Sequence, residues 1–332
     1  TPECAMRAAS AIVADIGGTN ARFAVASLDT LQLSDVRQVL CADHPTIAGA
    51  AAAYIAELKE TPRHGAFAVA APVTGDDISF TNSSWSFARE ELRGAAGLEA
   101  LHILNDFEAL ALSLPHLSAE DLVQIGGAEP APHGTKLVLG PGTGIGVAGL
   151  VWSSAGWVAV PSEGGHISLA THDQREFDLA SRLRAGRERV SVERALSGPG
   201  LSELYGAIVA FHGLSAEPMI ASEVVSRARG GADNAAIEAL ETFVKWFGAF
   251  TGDAALFFGA RGGVYLGGGI APKMLEEITA PGFRQAFEAK GRMQSFLAPI
   301  PIYVIRAEFA TLTGSAAALR AKLAGGNDGA PL

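Results

Sequence analysis

A Gly-Thr turn that opens into an apolar strand occurs twice in this chain, and nothing else in the sequence narrows its possible folds as much. Gly18-Thr19-Asn20-Ala21-Arg22-Phe23-Ala24-Val25 can be laid on Gly142-Thr143-Gly144-Ile145-Gly146-Val147-Ala148-Gly149. Each copy stands in the same company. Apolar runs bounded by turn residues predict strands over residues 11–16 and 22–27 with a third near 36–41, and again over 136–140, 145–152 and 157–161. So short a match arises readily by chance; the three-strand antiparallel meander around both copies is what argues for a duplicated unit. A chain of 332 residues also exceeds what one ordinary core encloses, so two α/β domains meeting at a cleft are expected.

Between the two meanders the pattern changes to alternating helix and strand. Pro45 precedes a helix over residues 46–60, a strand covers 66–71 and is stopped by Pro72, and a strand over 102–104 runs into a helix that Asn105 or Asp106 caps and that ends before Pro115. The expected order is βββαβα, with parallel pairing after the meander. Helical periodicity dominates residues 173–258, in pieces separated by Gly198-Pro199-Gly200, Gly213 and Gly230-Gly231. A strand over 263–266 meets the turn Gly267-Gly268-Gly269, a helix follows Pro272, and a strand over 302–305 precedes a last helix over about 313–323.

Charge and composition exclude several classes. Lys and Arg number 25 against 35 Asp and Glu, a net charge of −10, and the basic residues are scattered, so no footprint for nucleic acid or for an anionic membrane is present. The longest apolar candidate, residues 247–260, is interrupted by Thr251, Gly252 and Asp253, so no membrane span is expected. The first ten residues lack the pattern of a secretion signal, and Met6 is the expected start. Cys4 and Cys41 are the only two cysteines, too few for a disulfide framework or a cysteine-rich zinc site, which fits a reducing cytoplasm.

Three glycine turns follow predicted strands: residues 15–20, 140–146 and 267–269. A backbone that wraps phosphate oxygens needs inward N–H groups and no side chains in the way, and such turns supply both. Any one of them read alone is an ordinary strand-to-strand turn. No Gly-Lys dipeptide exists, so there is no Walker A loop. The formal G-x-G-x-x-G of residues 144–149 continues into a strand pattern, Leu150-Val151-Trp152, where a dinucleotide fold requires a helix. Asp15 is the telling residue of the first turn, because a carboxylate beside a triphosphate is repulsive unless Mg²⁺ or its water stands between them.

The remaining polar residues of interest read blandly one at a time. Asn105 and Asp106 suit a helix cap, His166 a loop or core histidine, and Glu193 a solvated helix acid. In chain order, however, Asp15-Ile16-Gly17-Gly18-Thr19-Asn20-Ala21-Arg22-Phe23, Leu104-Asn105-Asp106-Phe107-Glu108-Ala109, Gly140-Pro141-Gly142-Thr143-Gly144, Glu163-Gly164-Gly165-His166, Glu193-Arg194 and Gly267-Gly268-Gly269-Ile270 resemble the bacterial glucokinase family over nearly the whole chain. Each fragment is weakly specific; the ordered set is highly specific.

The resemblance implies a two-domain actin-like fold of the hexokinase type (ribonuclease H-like), with a cleft between domains. It implies a small domain of residues 1–116 with 308–332 and a large domain of 117–307. By the same resemblance the activity is ATP-dependent phosphorylation of glucose at O6, with ATP as co-substrate, Mg²⁺ as cofactor and a homodimer as the assembly. Asp106 is implied as the base that takes the O6 proton, and Asn105, Glu163, His166 and Glu193 as hydroxyl binders beside it. Gly17, Gly18, Thr19, Asn20, Gly142, Thr143 and Gly144 are implied as phosphate binders, Gly267, Gly268 and Gly269 as the adenosine-side turn, and Asp15 as a magnesium partner through water. Two alternatives stay open, a kinase of a related hexose and a sugar-sensing protein without turnover, although a sensor has no use for Asp106. The cysteine-rich zinc motif of the repressor, open-frame and kinase group is missing, since no cysteine follows Cys41, and no helix-turn-helix extension precedes the first strand.

Overall fold

The computed structural model describes residues 10–80, 85–215 and 217–325, so Cys4 and the expected start at Met6 lie outside the described residues. The chain divides into two units, Thr1–Ser118 with Ala307–Leu332, and Ala119–Arg306.

The first unit is built on β1 (Ser10–Ile16), β2 (Asn20–Ser27) and β3 (Leu33–Leu40), an antiparallel meander. Helix α1 (Ile47–Ala56) leads to β4 (His64–Val69), and β5 (Asp77–Ser79), β6 (Ser86–Ala88) and α2 (Arg89–Ala95) lead to β7 (Ala100–Asn105) and α3 (Asp106–Ser113). The sheet order is β3-β2-β1-β4-β7, with β4 parallel to β1 and β7 parallel to β4. Because side chains alternate along a strand, the two faces collect different residues. Ile12, Ala14, Ile16, Phe23, Phe67 and Val69 pack with Ile47, Ala50, Ala51 and Tyr54 of α1. Ala11, Val13, Ala24, Ala26 and Ala66 pack on the other face with Leu312, Ala316 and Leu319 of the C-terminal helix Ala310–Gly325.

Two expectations for this unit need correction. The helix expected to reach residue 60 stops at Ala56, where Glu57 N–H and Leu58 N–H turn to the oxygens of Tyr54 and Ile55, and Pro62 disfavours helical backbone at the residue before it. The order βββαβα also omits the β5–β6 hairpin and α2. A parallel pair such as β4 and β7 needs a long crossover, and these short elements supply it. Helix α2 spans only seven residues and has no side-chain cap, so it leaves little trace in the sequence.

The second unit repeats the plan. Strand β8 (Leu122–Gln124) precedes the meander β9 (Lys136–Pro141), β10 (Ile145–Ser153) and β11 (Gly156–Ser162), and β12 (Val264–Leu266) and β13 (Ile302–Ile305) complete the sheet. Its order is β11-β10-β9-β12-β13-β8, with β12 parallel to β9 and β13 parallel to β12, as β4 and β7 follow β1. The residue match is in register: Ala21 opposite Ile16 opens the first β-ladder, and its counterpart Ile145 opposite Pro141 opens the second. Between β11 and β12 lie α4 (Gln174–Arg184), α5 (Val192–Ala195), α6 (Gly198–Phe211), α7 (Ala221–Gly230) and α8 (Asn234–Phe258), and α9 (Leu275–Thr279), α10 (Pro281–Glu288) and α11 (Gln294–Leu297) precede β13. Gly198-Pro199-Gly200, expected to break a helix, is instead the first turn of α6. Proline is tolerated there because that N–H has no helical partner, and Ser197 caps the turn by accepting from Gly200 N–H. Among the described residues no helix is long and apolar enough to cross a membrane.

The C-terminal helix and α3 meet through a glycine. A Cβ built on Gly314 would lie 1.7 Å from the carbonyl oxygen of Ala109, so the two backbones touch. Gly206, inside α6, has open space around it. Both are helical glycines, yet Gly206→Ala is expected to stabilise the protein by about 0.5–1 kcal/mol, whereas Gly314→Ala is expected to destabilise it by about 1–3 kcal/mol through overpacking. Urea denaturation of the two variants checks both signs; a stabilising Gly314→Ala would mean that the helices do not pack as described.

Candidate active site

On the face of the first sheet that packs against the C-terminal helix, β1 and β2 turn from apolar to polar at one end. Along β1 the series Ala11, Val13 ends in Asp15, and along β2 Ala26, Ala24 gives way to Arg22 and Asn20. Asp15 faces Arg22 directly across the ladder, and Arg22 Nη1 donates to Asp15 Oδ2 at 3.3 Å. Burial raises the Asp15 pKa, and the charge of Arg22 and its hydrogen bond oppose the rise. The turn that joins the strands is closed by Gly17 N–H donating to Asn20 O at 3.0 Å, and Cys41 N–H donates to Thr19 O at 2.9 Å.

Asp106 enters the same neighbourhood from β7. Asn105 caps α3, its Oδ1 accepting from Phe107 N–H and Glu108 N–H while Glu108 Oε2 accepts from Asn105 N–H, a reciprocal capping box. Asn105 Nδ2 donates to Ala71 O at 3.3 Å, so this side chain is already engaged at both ends. Asp106, the first residue of the helix, is half-buried, and Phe107 N–H donates to its Oδ1 at 2.9 Å. Desolvation first, and the negative charge of Asp15 second, push the Asp106 pKa up to about 7 against the backbone hydrogen bond that lowers it. At neutral pH such a carboxyl is divided between its acid and its basic form, as a general base requires.

In the second unit the turn of Gly142, Thr143 and Gly144 joins β9 to β10, with Gly142 N–H donating to Gly144 O at 2.7 Å. The first turn of α6 abuts it, because Gly198 N–H donates to Gly142 O at 2.8 Å. A helix start carries partial positive charge and suits an anion. The turn of Gly267, Gly268 and Gly269 runs against the other side: a Cβ on Gly140 would lie 1.9 Å from Gly267 O, so only glycine permits this approach.

Glu163, His166 and Glu193 lie together beside that loop. His166 Nε2 is 3.7 Å from Glu163 Oε2, and His166 Nδ1 is 3.9 Å from Glu193 Oε1. The latter residue is not the solvated acid that its local sequence suggests. Glu193 Oε2 accepts from Ile145 N–H at 3.1 Å, and a Cβ on Gly144 would lie 2.2 Å from the same oxygen. One carboxylate therefore touches both the histidine and the glycine turn. An apolar cavity of about 430 Å³ lies behind these segments, lined by Leu169, Val192, Trp246 and Phe250 among others, and it contains none of the three.

The structure thus brings Asp15, Asn20, Asn105 and Asp106 to one end of the first unit, and Glu163, His166, Glu193 and the two glycine turns to one region of the second. Sequence reasoning gave no role to Arg22, the counter-charge of Asp15, or to Glu108, which completes the capping box. Arg22 carried a signal, since it follows the Gly-Thr turn on the strand face of Asp15. Glu108 carried one too, three residues after Asn105.

The comparisons with known proteins agree with one another. The Glucokinase family model matches residues 12–322. A glucokinase of Chromohalobacter salexigens is 44% identical over 93% of this chain and 97% of its own length. A crystal structure of glucokinase from an Antarctic psychrotroph superposes with a TM-score of 0.83 at 33% identity, covering 94% of this chain and 99% of that one. A ROK family glucokinase from Streptomyces griseus, solved in complex with glucose and AMPPNP, shares the fold at a TM-score of 0.63 and 20% identity, over 92% of this chain and 98% of its own. A family model that spans both units and relatives matched nearly end to end leave one conclusion: this chain belongs to the glucokinase family.

Proposed function

We infer that the chain transfers the γ-phosphoryl group of ATP to O6 of glucose, with Asp106 taking the hydroxyl proton. The observation that carries the assignment of the base is the Asp106 carboxyl itself, held at the start of α3 with a pKa near 7. Glu163, His166 and Glu193 would receive the other hydroxyls, since a carboxylate accepts two hydrogen bonds at once and so matches vicinal hydroxyl groups. Asn105, with its oxygen committed to the helix cap and one Nδ2 hydrogen to Ala71 O, would donate through the second hydrogen of its Nδ2. The turn of Gly17, Gly18, Thr19 and Asn20 and the turn of Gly142, Thr143 and Gly144 would offer N–H groups to phosphates, and that of Gly267, Gly268 and Gly269 would serve the adenosine side.

Magnesium fits the first turn. Among the described residues no group of three or more His, Cys, Asp or Glu could hold a metal ion, so phosphate oxygens and water would complete the shell around Asp15. Bound there, the ion supplies charge neutralisation for the transferring phosphoryl group. Asp15 stands beside that turn with its carboxylate half-buried and paired with the Arg22 guanidinium. Work as a homodimer in the cytoplasm belongs to the same proposal, supported by family membership.

Replacing the base tests the reading and its electrostatic basis together. Asp106→Asn should lower kcat by about 10²–10⁴-fold while glucose binding measured by calorimetry persists. The raised pKa adds a sign for stability. Between the ordinary value of 3.8 and about 7 the unfolded chain ionises while the folded chain keeps its proton, so Asp106 lowers stability as pH rises through that window. The asparagine variant should therefore melt at a higher temperature than the wild type, with the larger gain at pH 8 and the smaller at pH 5. Near-normal turnover would remove Asp106 from its role.

Glu193 permits a sharper split. Glu193→Gln keeps an oxygen for Ile145 N–H but removes the charge and puts an NH2 donor where the other carboxylate oxygen stood, so KM for glucose should rise with KM for MgATP nearly unchanged. Glu193→Ala removes the support of the turn as well and should raise both. A glucose KM unchanged in the glutamine variant returns Glu193 to a purely structural role.

The proposed base belongs to the first unit and the proposed carboxylate binders to the second, so the reading needs both units to act on one sugar. We propose that glucose draws them closer, which also excludes water as a competing acceptor. Small-angle scattering should give a smaller radius of gyration with glucose, and ATP hydrolysis without sugar should be slow. An unchanged radius with rapid sugar-independent hydrolysis overturns this part.

A further inference from the structure

Asp15, Arg22 and Gln38 stand opposite one another across three neighbouring strands, Asp15 paired with Arg22 and Arg22 paired with Gln38. Arg22 divides its guanidinium between them, Nη1 donating to Asp15 Oδ2 at 3.3 Å and Nε donating to Gln38 Oε1 at 3.0 Å. The opposite end of the glutamine amide is also used: Gln38 Nε2 donates to Asn20 Oδ1 at 3.1 Å. One exposed side chain on β3 therefore touches both the counter-ion of Asp15 and the last residue of the Gly-Thr turn.

The chemistry needs this residue type. A glutamine amide presents an acceptor and a donor at fixed separation, whereas leucine offers neither, and glutamate offers acceptors alone. Arg22, tied at Nε by Gln38 and at Nη1 by Asp15, cannot swing its positive fork away from the carboxylate. Asn20 is held at its backbone by the turn, where its oxygen accepts from Gly17 N–H, and at its side chain by Gln38. Without Gln38 both groups keep one anchor and lose the other.

We propose that Gln38 is a positioning residue of the phosphate-binding turn, holding Arg22 and Asn20 in the arrangement that receives MgATP. The proposal rests on the reading of that turn as a phosphate site. It deepens that reading by placing one determinant of nucleotide affinity on β3, outside the Gly-Thr motif. The hydrogen bonds are exposed, and each such bond is worth little on its own, so the effect on affinity is moderate rather than absolute.

Steady-state kinetics and thermal melting of the full chain test this. Gln38→Leu should raise KM for MgATP by about 2- to 10-fold, leaving KM for glucose and the melting temperature as in the wild type. Gln38→Glu keeps the shape and the acceptor for Arg22, yet it should raise the same KM at least as much, because it loses the donor to Asn20 and adds a negative charge beside the phosphates. In an Asn20→Ala, Arg22→Leu background, Gln38→Leu has no partner left to release and should change KM no further. An unaltered MgATP KM in Gln38→Leu, or an equal rise in both KM values with a lowered melting temperature, overturns the positioning role. Gly18→Val separates the two failures: if it raises KM for MgATP while Gln38→Leu does not, the turn is a phosphate site and Gln38 is not its support. If neither variant changes that KM, the phosphate reading falls, and the proposal falls with it.

Discussion

Two carboxylates held close together at one end of an apolar sheet set the terms for the first unit. Asp15 and Asp106 are both drawn into surroundings that disfavour their charge, and the charge of Asp15 adds to the cost of ionising Asp106. Such a pair persists only if something opposes it. Arg22 opposes it from β2, and the backbone N–H of Phe107 opposes it from α3. The balance is unequal by construction, since Arg22 faces Asp15 directly, so Asp15 is the better compensated of the two. The rise in the Asp15 pKa is thus opposed by a full counter-charge, whereas that of Asp106 is opposed by hydrogen bonds.

The second unit meets a different constraint, the need to bring backbone to backbone. Gly140 approaches Gly267 so closely that it could carry no side chain, and Gly144 leaves room for one oxygen of Glu193. The lack of a side chain at Gly140 lets backbone meet backbone, and its lack at Gly144 admits a carboxylate. Both outcomes follow from the same absence of Cβ atoms. Glycine in these turns is thus fixed by neighbours far away in sequence as well as by local turn geometry.

The parts of this architecture that depend on local pattern are legible in the sequence. Strands β1, β2, β9, β10 and β11 lie where apolar runs and glycine turns place them, and Asn105 caps its helix as its position before an apolar run suggests. Parts decided by pairing at a distance are not. The hairpin of β5 and β6 and the short α2 exist because β4 and β7 must run parallel, a demand that no residue between them announces. Gly-Pro-Gly reads as a break until Ser197 is seen capping the turn it begins. Among the candidate site residues, the ordered motifs picked out Asp106 and Glu193, but the contact of Glu193 with Ile145 N–H and the bridge made by Gln38 depend on strand register and chain crossing. A register that places Arg22 opposite Gln38 cannot be read from β3 alone, because a bulge between Phe23 and Val25 shifts the pairing.

The helix that closes the first unit is the last of the described segments. On the ribosome, β1, β2 and β4 emerge early, yet the face formed by Val13, Ala24, Ala26 and Ala66 has no cover until Leu312, Ala316 and Leu319 are made. The second unit, contiguous from Ala119 to Arg306, has all its residues before that happens. Synthesis therefore completes the units in the reverse of their order in the sequence, and a nascent chain passes through a stage in which half of the first sheet is open. A chain cut short before Ala310 would lack the helix against which Ala109, and with it the helix that begins at Asp106, is packed. The C-terminal helix, which carries none of the proposed binding groups, thereby underlies the placement of Asp106 through the backbone contact at Gly314.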